Sequence, residues 1–121
     1  MFKRLSILLA LMFVLPVQAG EYEKALEQNE KVFLYLYSSN CSYCIKFEPI
    51  YKKLVSEYGN DFKFIKINTD TTYGRTLAYK LQARFVPFVI LTDKTKNENA
   101  LVAPMCITNL ACAEKVLKNY K

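Results

Sequence analysis

The amino-acid sequence predicts an α/β domain with a central mixed sheet of about four strands flanked by helices, in the order α-β-α-β-α-β-β-α. Apolar runs of strand length alternate with amphipathic segments of helical length. Strands separated by helices are expected to pair in parallel, whereas a short turn before the last strand predicts an antiparallel hairpin. The 121 residues are enough for one modest domain.

The first 19 residues have the pattern of a secretory signal peptide. Two basic residues precede an uncharged apolar run at residues 5–15, and Val17 and Ala19 have the spacing that signal peptidase recognises. We therefore expect residues 1–19 to be cleaved off and residues 20–121 to form an exported domain. The run is short for a membrane span, which needs ~20 apolar residues. The alternative is an uncleaved segment that anchors the protein in a membrane.

The first half of the exported domain predicts a helix, a strand and a longer helix. Residues 21–30 are polar with apolar side chains at helical spacing, which predicts a short amphipathic helix. Residues 31–37, "KVFLYLY", form a β-branched and aromatic run typical of a strand buried on both faces. The following "SSN" offers helix caps, and residues 41–58 have apolar side chains at steps of three and four. Gly59 is expected to end this helix.

The next segments predict a second strand, a third helix and a third strand. Residues 62–68 alternate between apolar and polar side chains, which predicts a strand. Residues 72–82 predict a helix weakened by Gly74. Residues 85–93 predict a strand that Pro87 interrupts early.

The end of the chain predicts a hairpin and a last helix. Residues 94–100 have the composition of a turn, and residues 101–103 predict a short fourth strand. Thr108 or Asn109 is expected to cap a helix that runs to about Tyr120.

Composition excludes several kinds of site. The formal net charge is +6, but the basic residues are scattered, which favours a solvated surface over a nucleic-acid site. Because the chain has no histidine, it cannot use Cys-His catalysis, a histidine-containing zinc site or a C-x-x-C-H haem attachment. Three glycines are too few and scattered for a phosphate-binding loop. We therefore expect no cofactor and no nucleic-acid partner.

Two cysteines stand where the first strand gives way to a helix. The unpaired N–H groups and the dipole of a helix N-terminus favour an anion, so the pKa of the Cys41 thiol should fall and its thiolate should act as a nucleophile. Cys44, one turn further along, would resolve a mixed disulfide. The alternatives are a permanent staple or half of a zinc site. Zinc would also need Cys106 and Cys112, whose spacing does not form a second C-x-x-C. We therefore predict a redox pair and no metal.

A second pair, Cys106 and Cys112, flanks the start of the last helix. Four cysteines allow three connectivities, and the short spacing favours 41–44 with 106–112. The second disulfide is interpreted as a staple that clamps the last helix to the end of the fourth strand. A second redox relay and a pair of buried free thiols remain alternatives.

Three features together make the sequence resemble the thioredoxin superfamily, in its exported bacterial branch. The first is the C-x-x-C at residues 41–44, at the start of a helix that contains Pro49. The second is "KINTD", residues 66–70, which resembles the strand beside the active site in that family. The third is "RFVPFVIL", in which Pro87 matches the family's cis-proline loop.

The resemblance implies roles for residues around the pair. Pro87 would form a cis peptide with Val86, and its loop would lie against Cys41. The Val86 backbone would pair with an incoming substrate strand. Tyr43, beside the sulfurs, should be exposed and available to a partner. An ordinary edge-strand proline is the alternative for Pro87.

The sequence departs from the family at several positions. Asn40 stands where thioredoxins usually carry Trp, and Tyr35 stands where they carry a buried acid on the strand. Lys66 remains a candidate partner of the redox pair. Glu48 is the nearest acid in sequence, and we interpret it as a solvated helix residue.

The dipeptide between the cysteines, Ser42 and Tyr43, is neither the Gly-Pro of the cytosolic reductase nor the Pro-His of the periplasmic oxidase. A Tyr before the second cysteine resembles the periplasmic isomerases and their reducing relatives. We expect a monomeric periplasmic thiol–disulfide oxidoreductase that acts on exported cysteine-containing proteins, in the reducing or exchange direction, with an unidentified redox partner. The alternative is a non-catalytic binding module of thioredoxin fold whose four cysteines form structural disulfides.

Overall fold

A computed structural model describes residues 20–102 and 104–120. The predicted signal peptide, residues 1–19, lies outside the described residues and stays a prediction. The described helices and strands follow the predicted order: α1 (Glu21–Gln28), β1 (Lys31–Tyr37), α2 (Ser42–Tyr58), β2 (Lys63–Asn68), α3 (Thr72–Lys80), β3 (Phe88–Asp93), β4 (Glu98–Leu101), a 3₁₀ turn (Pro104–Cys106) and α4 (Leu110–Tyr120). Within this part of the chain, none of the helices combines the length and the apolar character that crossing a membrane requires.

The four strands form one mixed sheet in the order β2-β1-β3-β4. β1 pairs in parallel with β2 and antiparallel with β3, and β3 pairs antiparallel with β4. In the middle of β1, Tyr35 lies between Lys66 on β2 and Val89 on β3. The predicted α/β fold with a mixed four-stranded sheet is thus confirmed.

Two apolar clusters cover the two faces of β1. Phe33 and Tyr35 point to the cluster that contains buried residues of α2 and α4, including Phe47, Leu54 and Leu117. The other cluster contains the alternate residues of β1 and buried residues of α1 and α3: Val32, Leu34, Leu36, Tyr22, Ala25 and Leu77. The β1 residues 32–36 are all at most 1% exposed, so the strand is buried on both faces, as its composition predicts.

The predicted boundaries of the last two strands are wrong. β3 begins at Phe88, because Pro87 has no N–H to give to a ladder and the backbone before it bends. β4 was expected at residues 101–103, but residues 98–101 pair with β3. The hairpin turn is shorter than its composition indicates: Asn97 adopts a positive φ of 52° and donates its N–H to the Lys94 carbonyl at 3.2 Å. The polar residues after Asn97 are therefore free to continue as an edge strand.

Candidate active site

The first cysteine pair lies at the N-terminus of α2. Cys41 is the N-cap residue, with an extended backbone, and its Sγ accepts a hydrogen bond from the Cys44 N–H at 3.0 Å. The two sulfurs are bonded to each other, and the Cα atoms are 5.1 Å apart. The open end of a helix therefore directs an N–H group at the Cys41 sulfur, which is the arrangement that stabilises a thiolate.

The residues of the pair differ in depth. Cys44 is 4% exposed and Cys41 is 8% exposed, so the second cysteine lies deeper, as the sequence predicts. Between them, Ser42 and Tyr43 are exposed, and Tyr43 is 58% exposed. The predicted exposure of Tyr43 is confirmed.

The proline loop shares a groove with Tyr43, the residue between the two cysteines. The Val86–Pro87 peptide is cis, as expected, and Val86 packs against the apolar cluster that contains both cysteines. Within the described residues, nothing hydrogen-bonds to the backbone of Val86. An apolar groove of about 540 Å³ runs along this loop, and its lining residues are Tyr43, Phe85, Val86, Pro87, Pro104 and Ile107. The groove therefore connects the C-x-x-C helix to the proline loop, and Phe85, Pro104 and Ile107 are lining residues that the sequence did not indicate.

A polar network lies on the inner side of α2. Tyr35 is fully buried, and its hydroxyl shares its single proton between two acceptors, Glu48 Oε2 at 3.2 Å and the Cys44 carbonyl at 3.4 Å. The other oxygen of Glu48 forms an ion pair with Lys66. The interpretation of Glu48 as a solvated residue is wrong: its side chain is 31% exposed, because its position on α2 places the carboxylate over Tyr35 and Lys66. An acid is thus present near Cys44, but it comes from the helix rather than from the strand.

Two tyrosines at this network, Tyr35 and Tyr51, remain neutral at physiological pH. Burial, and then the Glu48 charge, raise the pKa of Tyr35 far above its ordinary value. The same two causes raise the pKa of Tyr51 to about 12. The Lys66 ammonium lies 4.6 Å from the centre of the Tyr37 ring. Tyr35 therefore stays a hydrogen-bond donor toward the turn of helix that holds Cys44.

The loop that leads into Cys41 is held by Asp70, which lies in the loop after β2. The Ser39 N–H donates to Asp70 Oδ2 at 3.1 Å, and the Ser39 hydroxyl donates to the same oxygen. These hydrogen bonds lower the pKa of the Asp70 carboxyl. The sequence pattern alone does not single out Ser39 and Asp70, although the parallel alignment of β1 and β2 could indicate the pair, because the carboxyl ends of adjacent parallel strands lie together.

The second pair is also bonded. Cys106, in the 3₁₀ turn, is 2% exposed and forms a disulfide with Cys112 in the first turn of α4. Of the two predicted caps of this helix, the structure uses Asn109, whose Oδ1 accepts the Cys112 N–H at 3.1 Å. In residues 20–102 and 104–120, no cluster of cysteine and acidic side chains is suited to holding a metal ion.

Comparison with known proteins identifies the family. The family model described as Thioredoxin matches residues 13–112. No curated protein sequence matches the chain.

Solved structures show the same fold. A chain from the study of the thiol resolving mechanism in yeast mitochondrial 1-Cys peroxiredoxin via glutathione/thioredoxin systems has a TM-score of 0.69 and 20% identity, over 86% of this chain and 92% of the other. A mutant thioredoxin from Halobacterium salinarum has a TM-score of 0.68 and 22% identity, over 84% and 85%. Oxidised mitochondrial thioredoxin 3 from Saccharomyces cerevisiae has a TM-score of 0.65 and 23% identity, over 82% and 87%. At these identities, the likeness concerns the fold alone. Because the family model spans most of the sequence and includes the bonded Cys41–Cys44 pair, the chain belongs to the thioredoxin family, as a thiol–disulfide oxidoreductase.

Proposed function

We propose that the protein is an exported, periplasmic oxidoreductase that exchanges dithiols and disulfides with exported cysteine-containing proteins, in the reducing or exchange direction. The observation that carries the chemistry is the Cys41 sulfur at the N-terminus of α2, 3.0 Å from the Cys44 nitrogen. A thiolate at this position is stabilised where it can attack.

The reaction proceeds through a mixed disulfide. The Cys41 thiolate attacks one sulfur of a substrate disulfide; a new S–S bond forms, and the second substrate sulfur leaves with the electron pair and takes up a proton. Cys44 then loses its proton and attacks the Cys41 sulfur, which releases the substrate as a dithiol. Two electrons have passed from the enzyme to the substrate, whose two thiols take up one proton from Cys44 and one from water, and a partner dithiol must reduce the enzyme again.

The groove supports an extended polypeptide as the substrate. The Val86 backbone lacks a hydrogen-bond partner within the described residues, so it is available to pair with an added strand. Tyr43 and Phe85 are exposed apolar side chains at the edge of the same groove. Main-chain pairing of this kind accepts many sequences, which suits an enzyme that acts on several exported proteins.

Two features of the sequence support the compartment and the direction. A positive region followed by a short apolar run is typical of an export signal, and exported proteins occupy the compartments where disulfides persist. The chain has no histidine that could add a positive charge beside the Cys41 thiolate. A weakly stabilised dithiol corresponds to a reducing rather than a strongly oxidising pair.

The reduction potential of the Cys41–Cys44 pair tests the direction. Equilibration in defined redox buffers should give a value near ~−270 mV, whereas a value near ~−120 mV would show an oxidant and contradict the proposal. The variant Cys41→Ser provides the control, since its remaining C-x-x-C thiol cannot form the pair.

Expression of the full sequence, followed by cell fractionation, tests export: the protein should be recovered from the periplasm and begin at Gly20.

A further inference from the structure

The turn held by the second disulfide forms part of the substrate groove. Pro104 and Ile107 line the same groove as the proline loop, and they stand on either side of Cys106 in sequence. Pro104 is exposed, whereas Ile107 is only 4% exposed and lies in the same apolar cluster as both cysteine pairs. We call Pro104 and Ile107 the groove wall.

The hydrogen bonds near the groove wall are local. Ile107 donates its N–H to the Pro104 carbonyl at 3.1 Å, and Asn109 donates to the Cys106 carbonyl at 3.3 Å. Among the described residues, residues 104–109 form no hydrogen bond to the sheet or to α2. Apolar packing holds the buried Ile107 in place, and the disulfide from Cys106 to α4 adds the covalent crosslink between this turn and the last helix.

The rest of the groove is fixed differently. Tyr43 belongs to the first turn of α2, and Pro87 directly precedes β3 in the middle of the sheet. Both positions are set by secondary structure. The width of the groove next to the C-x-x-C pair thus depends on the groove wall.

We propose that the Cys106–Cys112 disulfide determines the substrate specificity of the enzyme. It holds the groove wall in a position in which the groove encloses an apolar side chain next to the reactive cysteine of the substrate. The inference rests on the proposed function, since the occupant is an extended substrate segment in reaction with Cys41. The apolar lining and its continuity with Tyr43 of the C-x-x-C pair favour a leucine-like or aromatic side chain over a charged one. When the disulfide is absent, the groove wall moves and this preference is lost.

The test compares two model peptides and a small disulfide. The peptides carry the same disulfide and differ only in having leucine or serine beside the reactive cysteine; hydroxyethyl disulfide, too small to reach the groove wall, reports the C-x-x-C chemistry alone. For the wild-type enzyme, with only the C-x-x-C pair reduced, kcat/KM should favour the leucine peptide about tenfold. In the double variant Cys106→Ala/Cys112→Ala, the ratio of kcat/KM for the leucine peptide to that for hydroxyethyl disulfide should fall about tenfold, through a higher KM.

If the double variant does not fold, wild-type enzyme with both disulfides reduced takes its place and should show the same loss of preference. A surface variant tests the groove wall separately. Pro104→Glu places a charge on the exposed part of the groove wall, and the preference for leucine should again be lost. Ser56→Glu, an exposed substitution on α2 outside the groove, should retain the preference. An unchanged preference in either groove-wall variant overturns the inference.

If the wild-type enzyme turns over hydroxyethyl disulfide but does not distinguish the peptides, the inference fails and the proposed function stands. If the wild-type enzyme reduces no disulfide at all, the proposed function itself fails.

Discussion

At the scale of single residues, a half-buried ion pair supports the active-site helix from its inner side. Glu48 contacts both the Lys66 ammonium and the Tyr35 hydroxyl, and the same hydroxyl bonds to the Cys44 carbonyl. The side chains of Glu48 and Lys66 are 31% and 33% exposed, so water screens their attraction only in part. The network therefore ties the turn of α2 that contains Cys44 to β1 and β2.

Replacement of Lys66 by methionine should destabilise the protein. The variant Lys66→Met keeps most of the apolar length of the side chain but leaves the Glu48 carboxylate without its cation, which should lower the free energy of unfolding by about 1–2 kcal/mol. Urea denaturation measures the loss. Lys52→Met, at an exposed position on the same helix as Glu48, is the control and should change stability by less than about 0.5 kcal/mol. Equal losses in the two variants would show that the ion pair contributes nothing.

At the scale of secondary-structure elements, the close approach of α3 to the end of β2 explains a glycine. A Cβ atom at Gly74 would collide with the Asn68 carbonyl and the Thr69 Cα, both of which are backbone atoms. The sequence identifies Gly74 only as a weakness in the helix. In the structure, it is the residue that lets the first turn of α3 lie against β2.

The variant Gly74→Ala should therefore destabilise the protein, although alanine favours helix formation. The collision with backbone should cost about 1–3 kcal/mol, more than the gain of up to about 1 kcal/mol in helix propensity. Thr76→Ala, at an exposed position on the same helix, changes propensity without the collision. Thermal and urea unfolding of the two variants should show a loss for Gly74→Ala alone; a stabilised Gly74→Ala would contradict the close approach.

The loop between β1 and α2 should be sensitive to acid, because the Asp70 carboxylate accepts hydrogen bonds from Ser39. The pKa of Asp70 is lower in the folded state than its ordinary value of ~3.9. Its stabilising effect is therefore complete above the ordinary pKa and is lost as the pH falls through the folded value. The stability difference between wild type and Asp70→Asn should shrink as the pH falls from 7 to 2. The control Glu27→Gln, at an exposed position on α1, should show a smaller difference throughout. A difference that does not change with pH would contradict the role of the carboxylate.

At the scale of the whole molecule, the sheet order brings the parts of the active site together. β1 lies between β2 and β3, so the loop after β1, the Asp70 loop after β2 and the proline loop before β3 meet at one edge of the sheet. The carboxyl ends of the parallel strands β1 and β2 lie there, together with the amino end of the antiparallel strand β3. The C-x-x-C helix therefore begins where the other two loops can contact it.

The sequence predicts this architecture where local pattern and tertiary structure agree. The apolar run of β1 can be buried on both faces only in the middle of a sheet, and Cys41 follows it at a helix start. The sequence does not predict the pairing of Glu48, because a helical pattern does not show which neighbour covers a polar side chain. It likewise misplaces β4, since the residues that pair with β3 have the composition of a turn and only their partner strand makes them extended.

The alkylation rate of the reduced protein, measured for each cysteine by mass spectrometry as a function of pH, tests the central claim most directly. If the helix terminus stabilises a thiolate, iodoacetamide should modify Cys41 before Cys44. The half-maximal rate should then lie below the ordinary thiol pKa of ~8.5. Faster modification of Cys44, or a half-maximal rate at or above that pH for both cysteines, would contradict the account.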